Sequence, residues 1–251
     1  MDQQTRDEYY YGNILVKPQI YHQQSKLQIP LKGMMTILDG HDYFSHHRRF
    51  EMTLVRDITA HKFVSNFSRH ALDFVLLGDD GNLSELETGT HQQNYDFHFM
   101  DVRQFYTHET PVYAPADGVV VDVVNHLDDL YDTTFDFNGA VQDDCIQELA
   151  GNYVIVQHNS DEFSHMFHLL KGSVRVLAGQ RVHAGQQIGE VGFSGAANLY
   201  SHLHYQLMDG KDFLKDRALP CKFSNLTLIE NGKRKYYPNV TLDTGDFIIN
   251  V

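Results

Sequence analysis

His202 and His204 stand one residue apart in the segment Ser201-His202-Leu203-His204-Tyr205. Side chains at i and i+2 of a strand project from one face, so two imidazoles placed this way can converge on a metal ion or divide acid–base work beside one. In a chain with 16 histidines the plain alternative is an exposed pair without a role. Upstream, Arg69-His70-Ala71-Leu72-Asp73-Phe74 offers an imidazole and a carboxylate ahead of an apolar run. Nitrogen and oxygen donors of this kind suit Zn2+, whereas the structural reading is an ordinary strand edge with a solvated Asp. A third segment, His165-Met166-Phe167-His168-Leu169, sets histidine in an apolar run, where a packed ring with satisfied nitrogens is the bland expectation.

Other chemistries find less support. His108-Glu109 is followed by Val112 where the second histidine of an HExxH helix would stand, so a glutamate base on a zinc helix is not expected. No GxSxG elbow accompanies a triad, and Cys145 and Cys221 form no CxxC, which removes a thiolate zinc site and gives no sign of covalent catalysis. The net charge of −13, with no clustered Lys or Arg, argues against a nucleic-acid partner. No apolar run approaches the roughly 20 residues of a membrane span. The opening Met1 to Asn13 is polar and tyrosine-rich, unlike a signal peptide, so either a leader has been removed or the chain is cytosolic.

The elements that must position these residues read as strands. Tyr, Phe, Val and Ile occur in short runs punctuated by Gly, the pattern of a mostly β chain. Residues 14–60 read as an N-terminal set of strands. The clearest strand signals are Pro111 to Val124, Gly151 to His158, Ser173 to Val176, Gln187 to Val191 and His202 to Met208. Two polar stretches, one from Gly78 to Thr90 and an acidic one from about Asn125 to Leu149, read as loop insertions. Asn231-Gly232 between Leu226–Ile229 and Lys235–Tyr237 predicts a hairpin with a type I′ turn, with Pro238 limiting its second strand.

Taken in order, Ala114-Pro115-Ala116-Asp117-Gly118-Val119-Val120, Gly151 to His158, Phe167-His168-Leu169, Gly179 to Gly189, Gly192-Phe193-Ser194-Gly195 and Ser201 to Tyr205 resemble the lysostaphin-like zinc endopeptidases, which hydrolyse peptidoglycan. The resemblance runs over about residues 68–208 apart from the insertions. It implies a duplicated-hybrid-motif β fold, a barrel or sandwich with a groove, carried by residues 61–214. An N-terminal β-rich segment (1–60) and a C-terminal β extension (215–251), packed on the same unit, would flank it.

It also implies one Zn2+ held by Asp73 and His204, with His168 and His202 as the catalytic imidazoles and peptidoglycan stem or cross-bridge peptides as substrate. The setting would be extracellular or the cell envelope. The family places its first ligand four residues before the Asp, where this chain has Arg69. His70, three before, would need a bulge or turn to face the same way as Asp73. Three solutions follow: His70 ligates through such a bulge; His46 or His47 completes the sphere; or Arg69 fills the position, no metal binds, and the chain is an inactive member that binds peptidoglycan or regulates another hydrolase. The glycine turns also resemble biotinyl and lipoyl carriers, but Lys171 lacks their setting and a carrier gives HxH no task.

Overall fold

Leu72, Phe74 and Leu76 alternate with Asp73 and Val75, just as Leu203, Tyr205 and Leu207 alternate with His204, Gln206 and Met208. In the computed structural model of the protein, which describes residues 9–11, 14–16, 21–49, 66–85, 101–197 and 200–250, both segments are strands, paired with each other. Leu72, Phe74, Leu76, Leu203, Tyr205 and Leu207 enter one core, so the period of two sends Asp73, His204, Gln206 and Met208 to the other face.

The described strands are β1 (Tyr9–Tyr11), β2 (Ile14–Val16), β3 (Gly33–Asp39), β4 (Leu72–Leu76), β5 (Pro111–Tyr113), β6 (Gly118–Val124), β7 (Asn152–Asn159), β8 (Glu162–Leu169), β9 (Arg181–Val182), β10 (Gln187–Glu190), β11 (Leu203–Met208), β12 (Ala218–Leu219), β13 (Phe223–Glu230), β14 (Lys233–Val240) and β15 (Phe247–Asn250). Helical pieces are short: α1 (His46–Arg49), α2 (Phe137–Gln142) and two 3-10 turns. The protein is thus mostly β, as the composition predicts. Eleven strands form one sheet in the order β14-β13-β15-β3-β4-β11-β8-β7-β6-β9, with β12 on β11. Its strand pairs are antiparallel, and it draws strands from the N-terminal, central and C-terminal parts of the chain. β5 and β10 make a separate pair.

The second face is covered as well. Ile146, Leu149 and Ala150, from the 3-10 turn that ends the acidic insertion, cluster with Phe167, Met208 and Phe213. That insertion therefore lies against the sheet beside the histidines. The stretch starting at Gly78 is described only to residue 85, and residues 50–65 of the N-terminal segment lie outside the described residues.

Two local expectations change. Ser173–Val176 forms no strand; it runs beside β10 and contributes an Arg175 N–H to the Ile188 carbonyl at 2.9 Å. The hairpin forms with Asn231 and Gly232 at φ 50° and 73°, as a type I′ turn requires, but its second strand continues through Pro238 to Val240. β14 is the sheet edge, where a missing N–H costs no ladder bond.

One polar node ties residues 21–25 to the sheet. Glu162, fully buried on β8, accepts from the Tyr21 hydroxyl, the Gln24 and Ser25 backbone N–H groups and Asn159 Nδ2. Burial pushes its carboxyl up, yet these donors outweigh burial and hold it below its ordinary value of 4.5. A depressed folded pKa contributes stability above the unfolded value and loses it as pH falls. Glu162→Gln should cost about 2 kcal/mol at neutral pH, the scale of hydrogen bonds to a charged group. That penalty should shrink as pH drops below about 4.5 in denaturant melts of the two proteins; a penalty independent of pH would refute it.

Candidate metal centre

β3, β4, β11 and β8 lie side by side, and their register places Asp39 opposite Asp73, Asp73 opposite His204, and His204 opposite Phe167. Directly opposed residues share a face, so strands far apart in sequence bring a row of two carboxylates, an imidazole and an aromatic ring together. Asp73 is 1% exposed and Asp39 6%. Among the described residues, the cationic or potentially cationic groups within ion-pair distance of Asp73 are all imidazoles: His47, His202 and His204.

Each of the three central histidines has one ring nitrogen committed to a hydrogen bond. His168 Nδ1–H donates to the Ser194 carbonyl (2.9 Å), His202 Nδ1–H to the Tyr200 carbonyl (2.9 Å), and His204 Nε2–H to Gln206 Oε1 (3.1 Å). In the neutral rings these bonds set the tautomers and leave His168 Nε2, His202 Nε2 and His204 Nδ1 as lone pairs. His204 Nδ1 lies 3.1 Å and His202 Nε2 3.5 Å from Asp73 Oδ1, an oxygen that is buried and has no hydrogen-bond partner among the described residues. Lone pairs facing an unpartnered carboxylate oxygen repel unless a cation lies among them. The donor set therefore fits Zn2+, which takes imidazole nitrogen and carboxylate oxygen.

His168 joins the site through a backbone irregularity. It sits at φ 63°, in the left-handed region, where the pairing of β7 and β8 shifts register between Asn152 and Val154. In a regular strand Phe167 and His168 would face opposite sides. Here the Phe167 ring stacks on His204 at 5.4 Å, while the His168 ring lies 5.0 Å from His202 and 5.7 Å from His204. Two glycines make the supporting contact possible. A Cβ on Gly151 would stand 2.4 Å from the Ser194 carbonyl oxygen, and one on Gly195 2.3 Å from the Gly151 nitrogen. Only without side chains can these loops approach closely enough for the Ser194 carbonyl to accept the hydrogen bond from His168 Nδ1–H.

Burial, then the neighbouring His202 and His204, keeps His168 well below the ordinary imidazole range; burial also lowers His202, against the opposing pull of Asp73. Burial alone would raise Asp73, but His202, His47 and His204 outweigh it and hold the group ionised. Imidazoles whose basicity burial lowers, at His168 and His202, beside an ionised carboxylate suit both metal ligation and proton transfer.

Of the residues singled out from the sequence, Asp73, His168, His202 and His204 come together, and His70 does not. The expected bulge is absent: residues 67–70 form a turn and β4 begins at Leu72. The His70 carbonyl accepts from His41 Nε2 at 2.9 Å, its ring packs edge-on against His41 at 5.6 Å, and it joins neither metal-capable group of the described residues. Arg69 makes no ion pair with Asp73. Two residues that sequence reasoning passed over are Asp39 and Gln206. A lone Asp at the end of a strand and a Gln two positions beyond HxH carry no signal without the register.

Comparison with known proteins places this geometry in context. Residues 101–215 match the model of peptidase family M23. The matched segment is a little under half of the chain, and it is similar to that family's peptidases. The match takes in His168, His202 and His204 but begins after Asp73. The peptidoglycan DD-endopeptidase ShyA of Vibrio cholerae is 36% identical over 99 residues, which are 39% of this chain and 17% of that relative. Solved structures similar to the chain include the catalytic domain of lysostaphin from Staphylococcus simulans (20% identity, TM-score 0.30, 46% of this chain and 76% of that one). Another is the catalytic domain of the prophage-encoded M23 protein EnpA from Enterococcus faecalis (21% identity, TM-score 0.32, 46% and 75%).

Within the matched segment, Gln206 bonds His204 from the side away from Asp73, while its own Nε2 is directed to the Met208 sulfur (2.9 Å). Outer partners of this kind typically govern metal affinity by 10–100-fold. Gln206→Leu should weaken Zn2+ binding by about that factor, with Gln206→Glu retaining more of it, as titration calorimetry on the metal-stripped protein would measure. Equal affinity in Gln206→Leu would show that His204 needs no such support.

Proposed function

We propose that the protein is a zinc-dependent endopeptidase that hydrolyses peptide bonds in the stem or cross-bridge peptides of peptidoglycan. The observation that carries this reading is the pair of ring nitrogens, from His202 and His204, turned on the buried Oδ1 of Asp73, with His168 grouped beside them. The M23 match supports the peptidase class, and the similarity to a peptidoglycan DD-endopeptidase supports the substrate class. Such a substrate places the site of action in the cell envelope or outside the cell. No helix among the described residues is long and apolar enough to cross a membrane.

In this reading Asp73 and His204 hold Zn2+. The bound ion supplies Lewis acidity toward a peptide carbonyl and toward water. His202 and His168 handle the protons: as buried neutral bases with Nδ1 fixed, they present Nε2 to accept a proton from the attacking water and return it to the leaving amine. The same N–H groups, once protonated, donate toward the developing oxyanion. The Tyr200 hydroxyl, 3.4 Å from Asp73 Oδ2, is held in its protonated form by burial and by that carboxylate, so it serves as a donor that steadies Asp73. The 125–149 insertion, packed beside Phe167, borders the site and would influence which peptide enters.

The test is digestion of purified peptidoglycan, with released fragments identified by mass spectrometry and zinc measured by elemental analysis. The wild-type chain should cleave and carry near one zinc. His168→Ala and His202→Ala should lose about 10²–10⁴-fold in cleavage rate, the scale of a general acid–base contribution, while keeping their zinc. Zinc-loaded protein that cuts no peptide bond, or alanine variants as active as wild type, would overturn the reading.

A further inference from the structure

Asp73 and His204 leave the proposed metal one protein donor short of three, because Arg69 stands four residues before Asp73 and His70 is turned away to His41. We infer that His47, delivered by the helical turn after β3, is the third protein ligand. The inference rests on the reading of a metal centre given above, and it assigns the ligand to a part of the chain outside the M23 match.

His47 is 8% exposed and enters the site from the β3 side. Its Nε2 lies 3.6 Å from Asp73 Oδ2, while His204 Nδ1 lies 3.1 Å and His202 Nε2 3.5 Å from Asp73 Oδ1, so imidazoles stand at both oxygens of the carboxylate. The His47 and His204 rings stand edge to face at 4.9 Å. Two imidazoles and a carboxylate are the donor types of a three-ligand zinc site with an open fourth position, and Asp73 lies between the group that holds His47 and the one that holds His204. His47 shares a metal-capable group with Asp73, Asp39 and His46, whose ligand atoms lie within 4.8 Å of one another. No other polar atom of the described residues bonds the buried His47 Nδ1, so hydrogen bonding does not explain why a polar ring is placed there.

The turn that carries His47 is fastened on several sides. Asp39 Oδ1 accepts the His46 backbone N–H at 2.6 Å, and Asp39 Oδ2 pairs with the His46 ring. Asn66 Nδ2–H donates to the His47 carbonyl at 3.1 Å, and Arg48 donates to the His41 carbonyl. Asp39 itself sits in register opposite Asp73, so the residue that anchors the turn belongs to the same cross-strand row as the ligand. Asp39 is thereby a positioning residue for His47, acting through His46.

The inference is tested on the full chain with Zn2+ alone. Zinc affinity of metal-stripped wild type, His47→Ala and His70→Ala is measured by titration, with circular dichroism recorded on each. His47→Ala should bind Zn2+ at least about 100-fold more weakly, more than the loss of an outer partner. His70→Ala should stay within a few-fold of wild type. A second variant guards against misfolding: His47→Cys loaded with Co2+ should show a thiolate-to-cobalt charge-transfer absorption that wild type lacks. Wild-type affinity in His47→Ala, loss in His70→Ala, or no thiolate band overturns the assignment while leaving the metal centre standing. Failure of the wild-type chain to bind Zn2+ at all overturns both.

Discussion

Asp73 is an ionised carboxylate with 1% exposure, and the rest of the site is arranged around satisfying it. An isolated buried charge costs far more than a folded domain can spare unless partners are supplied. The partners here are imidazoles on β11 and after β3, brought in by the pairing of β4 with β11 on one side and β3 on the other. Oδ2 has the Tyr200 hydroxyl at 3.4 Å, but Oδ1 meets only ring nitrogens whose protons are directed elsewhere. A sheet that places a second carboxylate, Asp39, directly across from the first adds like charge to the same place. Such an arrangement makes physical sense around a divalent cation, and not as a packing device, for which apolar residues of similar volume serve better.

The site cannot form from any one segment. β3, β4, β8 and β11 are adjacent in the sheet although the chain between β4 and β8 contains three other strands of it or its neighbour pair. Side chains on opposed strands are set by register, and a slip of one residue would send Asp73 and His204 into the core and Phe74 and Leu203 to the site. The core contacts of Leu72, Phe74, Leu203 and Tyr205 therefore fix the positions of Asp73 and His204 as firmly as any hydrogen bond within the site. Where local order must be broken, at His168, the protein sustains a left-handed residue by tying its ring to Ser194 through the close approach of Gly151 and Gly195.

Much of this is legible in the sequence. The alternation through His202–Met208 and Leu72–Leu76 predicts which side chains share a face, and HxH on such a strand predicts convergence. The glycines at 151 and 195 are visible as motif residues, although their function as a point of loop contact appears only once Ser194 is seen between them. His168 is the harder case: strand periodicity alone would set it opposite Phe167, and nothing local reports φ 63°. His70 misleads for the same reason in reverse. Its spacing from Asp73 demands a bulge, and the chain instead turns before β4 begins, which sends the ring to His41.

Asp39 and His47 show where sequence reading stops. His46 and His47 stand out as a pair, but they are separated from Asp73 by more than two dozen residues, and only the β3–β4 pairing converts that distance into 3.6 Å. A ligand supplied from a turn, and not from the strand that bears the carboxylate, relaxes the constraint that period two places on Asp73's own neighbours. The histidine no longer has to share a strand face with the Asp; it needs a turn held at the right height above the sheet. The pairing of Asp39 with His46 provides that hold from the adjacent strand. With His47 as the inferred ligand, the residue at the fourth position before Asp73 is free to be Arg69, because the task that would have fallen to it would be met from across the sheet.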